Sequence, residues 1–87
     1  MKLLSLAHDI VEIVKGSTEI EAIDVINVAI ELEDAVDNIS DAIPNITARL
    51  FTLSFPDMAS TLPSGVPDKL MQQSLELVSK FGNGHYH

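Results

Sequence analysis

Apolar residues recur at alternating steps of three and four through the middle of this chain. The series Ala22, Val25, Ala29, Leu32, Val36, Ile39 and Ile43 runs without a miss, which puts its side chains on one stripe of a helix. The pattern predicts one long amphipathic helix over 19–43. Thr18 with Glu21 fits a capping box at its start. Pro44 disfavours helical geometry at Ile43, so the helix stops or kinks there. A second stripe, Ile23, Ile26 and Ile30, lies roughly opposite the first, and a helix that is apolar on two sides is usually packed on two sides. Twenty-five helical residues would span about 37 Å, against a diameter near ~30 Å for a compact chain of this length. The helix therefore kinks, the fold elongates, or its end packs on another chain.

The flanking segments carry the same period. Leu3, Leu6, Ile10, Ile13 and Val14 line one face of a helix over 2–15, which Gly16 ends. The short connection that follows favours an antiparallel hairpin with the central helix. Asn45 can cap a third helix over 45–54, with Ile46, Leu50 and Leu53 on one face. The alternation of Phe51, Leu53 and Phe55 with Thr52 and Ser54 has strand period, but a lone strand would have no pairing partner, so helix is the better reading. Residues 55–66 hold Pro56, Pro63 and Gly65 and read as a linker, with at most one turn at Asp57 to Ser60. Pro67 suits the start of a fourth helix over 67–81, with Leu70, Met71, Leu75, Leu77, Val78 and Phe81 on its apolar side. A tail, 82–87, closes the chain. The expected fold is all-α: a small helical bundle of three to four helices, in one domain, around one long central helix.

Charge sharpens this picture. The 87 residues contain 13 acids and five basic residues, for a net charge of -8. Eight of the acids lie between Glu19 and Asp41, where no Lys or Arg occurs. The imbalance therefore belongs to the central segment. Most of these acids fall opposite the seam, and Glu31, Asp34, Asp37 and Asp41 make an acidic face. Arg49 either reaches that face or sits exposed. Phosphate binding rests on clustered Lys and Arg, so direct nucleic-acid binding is not expected, nor is attraction to an anionic membrane.

An apolar content of 46% is ordinary. A mean hydropathy of +0.23 alongside so many uncompensated charges is less so, and a chain this small buries such a surplus with difficulty. The longest uncharged run in the central helix is far short of the about 20 residues of a membrane span. The apolar start, Leu3 to Ala7, is shorter than a signal-peptide core and lacks a cleavage site, so an intracellular protein is expected, cytoplasmic or within an assembled particle. The sequons at Asn38 and Asn45 are then chance matches. Without cysteine there is no disulfide and no thiolate metal site.

Chemistry is sparse. The acids of the central helix do not alternate around a glycine turn as a Ca²⁺ loop does, and the Glu-x-x-His of bundle di-iron sites is absent. His85 and His87 are two imidazoles, too few for a closed metal site. His8, beside Asp9 and Glu12, reads as a surface residue. No nucleophile elbow, P-loop or dinucleotide fingerprint occurs. No catalytic residue, cofactor or metal is therefore expected, and the chain reads as non-enzymatic. Two functions remain. The first is a structural or assembly protein that self-associates or docks on a protein partner through apolar helix faces, using Ile23, Ile26 and Ile30, or Leu77, Val78 and Phe81 of the last helix. The second is an acidic binding module, an inhibitor or nucleic-acid mimic, that offers Glu31, Asp34, Asp37 and Asp41 to a basic partner.

Overall fold

A computed structural model describes residues 2–16, 19–63 and 65–82. These form five α-helices and no strand: α1 (Lys2–Lys15), α2 (Ala22–Asp34), α3 (Ile39–Ser54), α4 (Pro56–Thr61) and α5 (Asp68–Gly82). The protein is a small all-α bundle. α1 packs against α2, α3 and α5, and α3 packs against α5. The core gathers Leu6, Ile10, Val11 and Val14 from α1, Val25, Val28 and Leu32 from α2, and Ile39, Ile43, Ile46, Leu50 and Phe51 from α3.

α1 and α5 fall close to where their periodicity puts them. Gly16 ends α1 at φ +77°, a left-handed conformation open to glycine at no steric cost, and its N–H bonds to the Glu12 carbonyl at 2.9 Å. α5 begins one residue after Pro67, whose carbonyl accepts the N–H groups of Leu70 and Met71. The predicted tail lies almost wholly outside the described residues.

The central segment differs from its reading as one helix. α2 stops at Asp34, a 3-10 turn covers Val36–Asn38, and α3 starts at Ile39. Val36, Asp37 and Asn38 all have poor helix propensity, since Val loses rotamer freedom and Asp and Asn bond to local backbone instead. The break removes the length conflict. The molecule measures 37 × 24 × 21 Å, and Ile39 and Ile43 turn into the core while Val36 points outward. The seam is also rotated: Val28 is buried, Ala22 exposed and Ala29 half-buried.

The two ends of that segment differ as well. The helix starts at Ala22, with Glu21 at the N-cap and no side-chain cap hydrogen bond. Thr18, the expected capping residue, lies outside the described residues. α3 continues through Pro44, which lies in its second turn on an exposed face. The carbonyl that Pro44 cannot bond belongs to Ser40, also exposed, so water can serve it. Residues 45–54 are helical and not a strand, as the second half of α3. The linker also holds more structure than expected. Pro56 opens α4 at a position that needs no N–H donor, and Ala59, Leu62 and Val66 rest on the core.

Candidate functional site

α2 has three distinct sides. At about 100° per residue, Val25, Val28 and Leu32 form the side that meets the core. Asp24 and Glu31 lie on one flank. Ile23, Ile26 and Ile30 share the remaining side with Asn27, and stand 56%, 47% and 51% exposed. Within the chain, the packing expected on both apolar sides occurs on only one of them. Three half-exposed isoleucines at steps of three and four make a continuous apolar strip.

Neighbouring elements extend this surface. Ile30 and Leu53 line a shared depression of about 380 Å³ between α2 and α3, with Asp24, Asn27, Glu31 and Arg49 around it. Leu53 is 68% exposed, although its spacing from Ile46 and Leu50 suggested a core position. The buried arc of α3 runs through Ile43, Thr47 and Phe51 as well as Ile46 and Leu50. Leu53 falls at the edge of that arc near the helix end. The signal that places it outside is Thr47, whose burial shifts the arc away from Leu53.

The other apolar candidates occupy a different setting. Val78 is buried, and Leu77 and Phe81 are half-buried against the core. The apolar side of α5 is thus used within the fold, because it covers α1 and α3. The isoleucines of α2 are more exposed than these three residues.

Electrostatics around the strip are one-sided. Lys15 at the end of α1 reaches Asp24, Nζ to Oδ2 at 2.5 Å, with both side chains about four-fifths buried. Arg49 on α3 grips Glu31 through both guanidinium branches, with Nη1 at 2.6 Å from Oε1 and Nη2 on Oε2. The hydrogen bonds that Arg49 donates to Glu31 raise the Arg49 pKa above its ordinary value; partial burial opposes this and the charge of Glu31 adds to it. The two cations that bracket the acidic stretch in sequence therefore fold back onto its two half-buried acids. The other six of the eight, Glu19, Glu21, Glu33, Asp34, Asp37 and Asp41, are all exposed, and none forms an ion pair among the described residues. Glu31 differs from the rest of its predicted acidic face in being spoken for by Arg49.

One cluster has donors of metal-ligating type. His8 Nδ1 lies 3.5 Å from Asp9 Oδ1 and 3.7 Å from Glu12 Oε2. One nitrogen and two carboxylate oxygens come within 4.8 Å of one another at the surface. The trio supplies three donors without an enclosing shell, and its spacing suits local charge pairing on the helix. His85 and His87 lie outside the described residues. A shallow hollow near the end of α1, about 360 Å³ and lined by Asp9, Glu12, Ile13, Gly16 and Leu77, collects no nucleophile. Among the described residues, no helix is long and apolar enough to cross a membrane.

Comparison with protein-family models, curated proteins and solved structures finds no match to this chain.

Proposed function

We propose that this chain is a non-enzymatic docking protein that engages another protein through the outer face of α2. The observation that carries the reading is the strip of Ile23, Ile26 and Ile30, each about half exposed on a helix whose opposite side is in the core. Large apolar side chains scattered singly need no explanation, but a contiguous row rimmed by charge marks an interaction surface. Each half-exposed isoleucine leaves about 1 kcal/mol of burial to be gained. With Leu53 the face offers roughly 4 kcal/mol before the cost of association is met, so it holds a partner only weakly by itself.

The test is a photo-crosslinking amino acid placed at Asn27, within the strip, or at Gln72, exposed on α5. In the protein's own cells the reading expects a protein adduct from position 27 and none from position 72. Adducts in equal amount from both positions, or from neither, would overturn it.

A second reading is supported by the six exposed acids without ion pairs. The carboxylates of Asp34, Asp37 and Asp41 then bind a basic partner by themselves. That reading expects binding to vanish in the Asp34→Lys/Asp37→Lys double variant and to persist when Ile23 and Ile30 become serine.

A further inference from the structure

We infer that the occupant of the α2 face is a cationic amphipathic helix of a partner protein, seated with its apolar side on Ile23, Ile26 and Ile30 and its Lys or Arg side chains against Glu33 and Asp34. The inference rests on the docking reading above and adds the chemistry of what docks.

The form of the occupant follows from what α2 presents. The N–H and C=O groups of a helix interior are bonded within the helix, so its outer face has no free backbone edge onto which a strand could add. A segment lying there must satisfy its own backbone, and a helix does so. Ile23 to Ile30 spans about 10 Å, two turns, which matches anchors spaced i, i+3 or i+4, and i+7 on the facing helix.

The charge of the occupant follows from the rim. Glu33 and Asp34 follow Ile30 by three and four positions, so they stand on either side of the strip at its C-terminal end. Glu19 and Glu21 precede Ile23 at the other end. All four are exposed and without ion pairs among the described residues. Two cations of neighbouring helices reach α2, Lys15 and Arg49, and they are held by Asp24 and Glu31. Neither of these two side chains is left to meet an acidic partner. A second copy of the chain, at net charge -8, would bring the same rim against itself. A basic helix turns that repulsion into attraction, which speeds encounter and excludes wrong partners. The apolar strip is too small to hold a partner tightly by itself, so the charges decide which partner binds.

The experiment uses three synthetic peptides with the same leucine heptad positions and with flanking positions of Lys, Glu or Gln, titrated into the full chain by isothermal calorimetry at about 50 mM and 500 mM salt. Light scattering records the mass of the chain alone. The expected result is a monomer that binds the Lys peptide at least tenfold more tightly than the Gln peptide, and the Glu peptide not at all. Affinity for the Lys peptide should fall tenfold or more at high salt, in Glu33→Lys/Asp34→Lys, and in Ile23→Ser/Ile30→Ser. Circular dichroism checks that each variant stays folded. Equal binding of the Lys and Gln peptides, lost in the isoleucine variant, would overturn the cationic occupant while leaving the docking face intact. An isoleucine-dependent dimer of the chain alone would do the same, in favour of a second copy. Lys-peptide binding unchanged in the isoleucine variant would overturn both.

Discussion

Arg49 on α3 and Glu31 on α2, eighteen positions apart in sequence, face each other as a two-pronged ion pair. The contact ties α2 to α3 beside the isoleucine strip, and Ile30 and Leu53 line the same depression. It is half exposed, so solvent screens it.

Breaking this pair should therefore matter little for stability. Arg49→Met and Glu31→Gln are each expected to cost less than about 1 kcal/mol, with a coupling of roughly 0.5 kcal/mol in the double-mutant cycle. Lys15 with Asp24 is more buried, and Lys15→Met leaves an acid unpaired in a partly dry site. It should cost about 1–2 kcal/mol by urea denaturation. A larger loss at Arg49 than at Lys15 would contradict this ordering.

Buried hydroxyls offer a gain. Thr47 and Ser74 are fully buried, and neither side-chain oxygen has a hydrogen-bond partner among the described residues. An unsatisfied buried hydroxyl costs roughly 1–3 kcal/mol, and replacing it by an apolar group of similar shape recovers part of that. Thr47→Val and Ser74→Ala should each raise Tm by several degrees, at about 4–8 °C per kcal/mol for a chain of this size. A fall in Tm for both would mean that these hydroxyls do have partners.

Pro44 is a second place where stability is withheld. It denies Ser40 a hydrogen bond inside α3. Pro44→Ala should stabilise the chain by about 1–2 kcal/mol, the helix gain of up to ~3 being offset by a freer unfolded chain. Thermal melting with far-ultraviolet circular dichroism checks this; unchanged or lower Tm would mean that the proline holds the α2–α3 corner.

Much of this fold was legible in the sequence, and the exceptions have physical causes. α1 and α5 could be read because each has one apolar face and a plain stop or start, Gly16 and Pro67. The α2–α3 break could not be read from periodicity, because the steps of three and four run on through Leu32, Val36, Ile39 and Ile43. It was carried instead by the weak propensity of Val36, Asp37 and Asn38 and by the excess length of an unbroken helix. Pro44 marked a boundary in the wrong place, since an exposed second turn tolerates the lost bond. At the candidate site the isoleucine strip was visible as a second stripe. That it faces solvent, and that Val78 does not, depends on how α5 packs. Leu53 joined the surface only through the tertiary placement of α3.

The two sides of α2 should also respond differently to substitution. Ile23→Ser, Ile26→Ser and Ile30→Ser are expected within about 0.5 kcal/mol of the parent. Leu32→Ala, in the core, should cost about 2–4 kcal/mol. Urea midpoints at constant m-value make the comparison.

The central claim, that Ile23, Ile26 and Ile30 form an open face awaiting a partner, is tested most directly by methyl NMR of the isoleucines in dilute solution with a soluble paramagnetic probe. The fold predicts strong broadening of these three methyl signals and little at Ile10, Ile43 and Ile46, which are buried. Equal protection of all six in a monomer would show that the strip is already covered by the chain itself and would contradict the account.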